Sequence, residues 1–196
     1  MPSTSTPPTG AWVITILDNS DQAGALGYHD LTPDGLPLGK VFAGTDRQNG
    51  QQVSVTLSHE LLEMLGDPWI NLSAQSDDGK FYGWECCDAV EADDLGYQID
   101  RVLVSDFVTP HWFGHGAGQV DPQNHVTNPF QLASGGYISV FDPAASKGWQ
   151  QITDAKAAAK LTPAELVQAR PRVGSPCERR FIGRQNWVNS TYRTAG

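Results

Sequence analysis

Apolar side chains follow two different spacings along this chain, and the spacings predict a mixture of strands and helices. Residues 11–18 form an apolar run rich in β-branched side chains, which is typical of a strand. Residues 53–65 repeat apolar side chains at helical spacing, and Gly66-Asp67-Pro68 then supplies a stop signal. Further extended segments are predicted at residues 37–43, 81–84, 96–99, 102–108, 137–141 and 149–153.

Turn and cap signals complete this prediction. Asp77-Asp78-Gly79-Lys80 is expected to form a hairpin turn, and residues 162–170 a C-terminal helix. Residues 85–94 fit either a short helix or a loop. Residues 111–129, with three histidines and three glycines, are expected to form a long loop over the surface. The whole pattern favours an α+β fold of mostly antiparallel strands packed with one or two important helices.

Composition and charge exclude several classes of protein. The 196 residues include 13 Lys and Arg against 22 Asp and Glu, and the formal net charge of −9 argues against a nucleic-acid binder. No apolar run approaches the roughly 20 residues of a membrane span, so no membrane partner is expected. Residues 1–10 have no signal-peptide features and are expected to form a disordered leader. Residues 11–196 are expected to form a single domain.

The three cysteines are Cys86, Cys87 and Cys177, an odd set with one adjacent pair. A disulfide framework needs spaced pairs, so reduced thiols and a cytoplasmic location are expected, with export by a non-classical route left open. The adjacent pair is expected to serve as buried small residues. A thiolate ligand from Cys87 is the alternative.

Charge is distributed unevenly along the chain. Nine acidic residues lie between Asp77 and Asp106, against only Lys80 and Arg101. Residues 169–196 contain six arginines and one acidic residue. The acidic cluster is therefore expected either to bind cations or to pair with the arginine-rich C-terminal segment, which could then inhibit or order it.

The predicted helix 53–65 carries the most informative motif. His59 and Glu63 are four residues apart and so stand one above the other on the same face. These two side chains could therefore bind one metal ion, with Glu60 beside them to act on a water molecule. This is the logic of the H-E-x-x-H helix, in which both histidines bind zinc and the glutamate is the general base. An amphipathic helix with a wet acidic face would show the same pattern.

Through these residues the chain resembles the zincin metallopeptidases, with Glu63 where the motif has its second histidine. It is also similar to uncharacterised bacterial and phage-like proteins with an SHELLE-type block. The metzincin subgroup is excluded, because Trp69 occupies its third-ligand position and no methionine follows Met64. The gluzincin subgroup is closer, since there a glutamate some twenty or more residues downstream completes the site.

The resemblance implies a single zincin-like domain that binds zinc through His59, Glu63 and Glu85, with Asp88 in support. Glu85 lies 22 residues after Glu63, and Glu85, Asp88 and Glu91 would share one face of a helix. Asp88 and Glu91 remain alternatives for the third ligand. Because the ligands are rich in carboxylate, a cation harder than zinc is also an alternative.

One histidine outside the helix is a further candidate. His111 directly follows a predicted strand and could lean over the metal to stabilise an oxyanion; a solvent-exposed or core-capping histidine is the alternative. His29 has no supporting context in the sequence.

The leading hypothesis is a zinc peptidase in which Glu60 is the general base, acting on a peptide or protein substrate. The alternatives are a non-catalytic interaction or structural module that retains a zincin-like helix, and a calcium- or manganese-stabilised binding domain. The oligomeric state is left open.

Overall fold

The structure is a computed structural model that describes residues 6–22, 25–145 and 148–154. The predicted C-terminal helix, the arginine-rich segment, Cys177 and the first five residues of the leader lie outside these ranges. The described strands are β1 Val13–Leu17, β2 Gly27–Leu31, β3 Pro37–Phe42, β4 Ser73–Gln75, β5 Phe81–Gly83, β6 Tyr97–Ile99, β7 Val102–Val104, β8 Tyr137–Phe141 and β9 Trp149–Thr153. The described helices are α1 Ala43–Gln48, α2 Val53–Gly66 and the two 3-10 helices Asp88–Val90 and Asp93–Leu95.

The prediction of a mixed α and β fold with mostly antiparallel strands is confirmed. The first sheet has the order β1-β3-β2, with β1 parallel and β2 antiparallel to β3. The second sheet has the order β4-β5-β8-β9 and is antiparallel throughout. Strands β6 and β7 form a separate antiparallel pair. Helix α2 packs on β2 and β3 and also contacts β7, so it lies between parts of the chain that are distant in sequence.

Several local predictions are confirmed. The helix predicted at 53–65 ends one residue later, at Gly66, and the hairpin turn at 77–80 joins β4 to β5. The late strand pair is present as β8 and β9. Strand β2 and helix α1 were not predicted, because the first lacks a run of β-branched residues and the second is short and polar.

Strand β7 is shorter than the predicted 102–108. The backbone N–H of Ser105 donates to Oγ of Ser58 on α2 at 2.8 Å, and the N–H of Val108 donates to the carbonyl of Cys86 at 2.7 Å. The chain therefore leaves β6 after Val104 and runs across α2 towards the segment that follows β5.

The segment 111–129 is irregular, as predicted, but the expectation that it runs over the surface is wrong for its apolar residues. Trp112 is fully buried, and its indole N–H donates to the carbonyl of Gln131 at 2.7 Å. Phe113 stacks on Trp84 with ring centroids 4.1 Å apart. Burial of these large apolar side chains outweighs the cost of drawing an irregular segment inwards. Its members in the main hydrophobic cluster are Trp112, Phe113, Val120 and Val126.

Strand β2 and helix α2 approach each other closely at Gly27. A methyl group at this position would lie 2.7 Å from Oε1 of Glu60 and 2.8 Å from Cγ2 of Thr56. Glycine therefore allows the backbone of β2 to lie directly against the helix, with the Glu60 carboxyl group beside it.

Gly27→Ala is expected to lower the free energy of unfolding by about 1–3 kcal/mol, because the added methyl overpacks this contact. Urea unfolding monitored by tryptophan fluorescence would measure the change. Gly66→Ala is the matched control, since its methyl would meet only Sγ of Cys86 at 3.8 Å and Nε1 of Trp84 at 4.0 Å. Equal unfolding midpoints for Gly27→Ala and the wild type would contradict the close approach.

Within the described residues, no helix has both the length and the apolar character needed to cross a membrane.

Candidate metal centre

Helix α2 presents His59 and Glu63 on one face, as their spacing predicts. Nε2 of His59 lies 3.3 Å from Oε2 of Glu63. The His59 side chain is 12% exposed and that of Glu63 only 2%. The pair therefore places an imidazole and a carboxylate side by side at the buried edge of the helix.

The segment after β5 brings Asp88 to this pair. Oδ1 of Asp88 lies 3.4 Å from Nε2 of His59. The backbone N–H of Cys87 donates to Oε1 of Glu63 at 3.1 Å and ties this segment to α2. Single ligand atoms of His59, Glu63 and Asp88 all lie within 4.8 Å of one another. Among the alternatives for a third ligand, Asp88 is the residue that is grouped with His59.

His29 on β2 is a site residue that sequence reasoning missed. It is buried, and its Nε2 lies 3.0 Å from Oε2 of Glu85 and 3.7 Å from Oε2 of Glu63. Single ligand atoms of these three residues also lie within 4.8 Å of one another. The structure therefore supplies the context for His29 that the sequence lacked. The turn at 32–35 was the available signal for a strand at His29. A turn before the predicted strand at 37–43 suggests that a second strand of a hairpin lies on its other side.

Acidic side chains are crowded around these ligands, and burial is the main cause of their raised pKa values. Burial raises the pKa of Asp88 to about 7, and the charge of Glu63 adds to the rise. Burial also raises the pKa of Glu60 to about 8 and that of Glu91 to about 8. Removing a carboxylate from water disfavours its charged form, so this site favours binding of either protons or cations.

The two imidazoles respond to the same negative charge. Burial lowers the pKa of His29, but the charge and hydrogen bond of Glu85, together with the charges of Glu63 and Glu60, outweigh this effect and raise the pKa to about 9. Burial also lowers the pKa of His59, but Glu63 and Asp88 hold it well above its usual range. A divalent cation would replace these protons, since metal binding requires neutral imidazole.

The chemistry of the donors fits a metal ion. Oδ1 of Asp88 is buried and accepts no hydrogen bond from the described residues, although it faces His59. A buried acceptor without a donor is costly and calls for a partner such as an ion or water. Imidazole nitrogen and carboxylate oxygen together suit zinc and also manganese.

Glu60 lies beside the ligands but belongs to neither ligand group. Its side chain is 6% exposed, and its carboxyl group lies against Gly27. The charges of His59 and His29 both lower its pKa, against the larger effect of burial. Glu60, the predicted general base, therefore interacts electrostatically with both imidazoles.

Tyr137 on β8 is a second residue that the sequence did not indicate. Burial, followed by the charges of Asp88 and Glu91, raises the pKa of its phenol well above the usual range. The preceding Gly136 lets β8 approach the 3-10 helix, since a Cβ there would lie 2.2 Å from the carbonyl oxygen of Ala89. Tyr137 thus places a neutral hydroxyl group near the acidic side of the centre.

His111 makes its contacts within its own loop. Its Nδ1 lies 2.6 Å from the carbonyl oxygen of His115, and a Cβ on Gly118 would overlap its ring. The structure does not group His111 with His59 and Glu63. Its role as an oxyanion stabiliser stays a prediction.

Cys86 and Cys87 are free thiols with sulfur atoms 3.9 Å apart. Burial raises the pKa of the Cys87 thiol well above its usual range, which disfavours a thiolate. The contact of Cys87 with Glu63 uses its backbone N–H rather than its sulfur. The structure thus favours the buried small residue over the thiolate ligand.

A third group of potential ligands consists of Asp106, Asp121 and His125. Nδ1 of His125 lies 2.7 Å from Oδ2 of Asp106. The carboxylate of Asp121 accepts the backbone N–H groups of Gln123, His125 and Val126. These bonds fix the turn after Asp121, so the structure accounts for that residue without a metal.

Comparisons of the chain with protein-family models, curated proteins and solved structures found no significant match. A functional assignment therefore depends on the chemistry of this centre.

Proposed function

We propose that this chain is a metal-dependent hydrolase, a zincin-like zinc peptidase in which His59, Glu63 and Asp88 hold the metal. The observation that carries the proposal is the meeting of these three side chains with Glu60 beside them. A bound zinc ion would polarise a substrate carbonyl and lower the pKa of water.

The protein's own part in the reaction centres on Glu60. As a carboxylate, Glu60 would accept a proton from the attacking water and then deliver it to the leaving amine. Burial raises its pKa to about 8, which makes the carboxylate a stronger base, and a nearby cation would favour that charged form. The neutral phenol of Tyr137 is a further hydrogen-bond donor for a bound peptide.

The proposal is tested with protein purified without an affinity-metal step and stripped with a chelator. Apoprotein and protein reconstituted with zinc or manganese would be incubated with a quenched-fluorescent peptide library, with cleavage sites read by mass spectrometry. We expect cleavage only after metal is restored. Stoichiometric metal binding without cleavage of any peptide would contradict a peptidase, and absence of metal binding would contradict the whole proposal.

One observation favours the alternative of a non-catalytic module whose fold is stabilised by the metal. The side chains of Glu63 and Asp88 are each only 2% exposed, and that of His59 is 12% exposed. Side chains this deeply buried give a peptide little access to the ion, which suits a metal that stabilises the fold. A metal that stabilises the fold without supporting cleavage would establish this second function.

A further inference from the structure

The potential ligands of the centre fall into two overlapping groups. One consists of His59, Glu63 and Asp88, and the other of His29, Glu63 and Glu85. Within each group, single ligand atoms lie within 4.8 Å of one another, which is close to the dimensions of one coordination sphere. Glu63 is the residue that the two groups share.

The geometry of Glu63 suits a shared position. Its Oε1 accepts the N–H of Cys87, which fixes the carboxylate plane. Its Oε2 lies 3.3 Å from Nε2 of His59 and 3.7 Å from Nε2 of His29. One carboxylate oxygen therefore faces two imidazoles, which come from α2 and from β2.

We propose that the centre holds two divalent cations that share the Glu63 carboxylate. One is bound by His59, Glu63 and Asp88, and the other by His29, Glu63 and Glu85. The inference rests on the proposed function, because it concerns the same centre, and it adds a second ion and two ligands to it.

The number of carboxyl groups supports a second ion. Glu60 and Glu91 share the surroundings of the ligands Glu63, Glu85 and Asp88, so five carboxyl groups are gathered here. With all five groups ionised, two divalent cations would leave less net charge in the buried centre than one would, and uncompensated buried charge is costly.

Each ion would then have one imidazole and two carboxylates, with positions left for water or substrate. Hydrolases with paired metal ions about 3.5–4 Å apart use both ions to stabilise the attacking and leaving groups. His29 and Glu85 would therefore be metal ligands rather than a buried ion pair that only supports the fold.

The test counts ions and measures the distance between them. Apoprotein would be saturated with zinc, separated from free metal by gel filtration and analysed by inductively coupled plasma mass spectrometry. We expect two zinc ions per chain in the wild type and one in His29→Ala. Zinc-edge X-ray absorption of the wild type should show zinc–zinc scattering at about 3.5–4 Å.

Two further variants control for folding and for the third ligand group. Glu85→Gln preserves the size of the side chain and should also reduce the count from two to one. His125→Ala, in the group with Asp106 and Asp121, should keep both ions. If the count falls in His125→Ala instead, the second ion lies at that group and the inference is overturned.

The remaining outcomes separate this inference from the proposed function. A single zinc ion in the wild type, without zinc–zinc scattering, would overturn the two-ion centre and leave a one-metal hydrolase standing. No bound zinc would overturn both. If His29→Ala does not fold, the wild-type scattering and the Glu85→Gln count decide the question.

Discussion

Glu60→Gln is expected to lower peptide turnover by about 10²–10⁴-fold, the usual contribution of a general base. Glutamine has nearly the same size, so the contact with Gly27 is preserved, and Glu60 belongs to neither ligand group. The zinc content should therefore equal that of the wild type. Turnover would be measured with the best peptide from the library at saturating zinc.

Glu91→Gln is the matched control for this experiment. Burial raises the pKa of Glu91 to about 8, as it does that of Glu60, and Glu91 lies in the same acidic surroundings. A much smaller loss in Glu91→Gln would assign the effect to proton transfer by Glu60. Equal losses would indicate that net charge matters instead, and full activity in Glu60→Gln would eliminate Glu60 as the base.

Glu63→Gln is expected to weaken zinc binding by more than the roughly 10–100-fold that loss of an outer-shell partner costs. An amide oxygen can still accept the N–H of Cys87, so the tie between α2 and the 3-10 helix is kept while the anionic ligand is lost. Zinc at about 1,000 times its Kd should stabilise the wild type by about 4 kcal/mol. For a domain of this size, that corresponds to a rise of about 8–16 °C in Tm.

The rise in Tm would be measured by differential scanning calorimetry with and without zinc. Asp34→Ala serves as the control, because Asp34 is an exposed acid in the turn between β2 and β3. It should show the same zinc-dependent rise as the wild type, and Glu63→Gln should show little or none. A full rise in Glu63→Gln would place the metal elsewhere in the protein.

The part of the centre carried by α2 could be predicted because it depends on local geometry. The spacing of His59 and Glu63 fixes their shared face once the segment is helical, and apolar periodicity together with a stop signal identifies the helix. The acidic segment that follows β5 was also found from charge alone. The assignment of Glu85 to one ligand group and of Asp88 to the other was not predicted. The two residues were expected on one face of a helix, whereas Glu85 precedes the 3-10 helix that begins at Asp88.

The contribution of His29 depends on pairing between distant segments. His29 meets Glu85, 56 positions away, only after β2 has joined β3 and packed on α2. No periodicity within either segment predicts this contact between His29 and Glu85. The inward course of the loop containing Trp112 has the same origin, since Trp112 contacts Tyr82 of β5 and lies in one hydrophobic cluster with Ile138 and Val140 of β8.

The turn between β2 and β3 has a consequence for the evolution of this chain. His29 pairs with Gly39 across the hairpin, and side chains alternate between the two faces of a strand. One residue inserted between Thr32 and Leu36 could slip the register by one position and point Tyr28 or Asp30 towards α2 in place of His29. Length changes in surface turns are ordinarily well tolerated. If His29 is the ligand proposed above, such a change in this hairpin would have the effect of removing it, so the length of the turn would matter as much as the histidine itself.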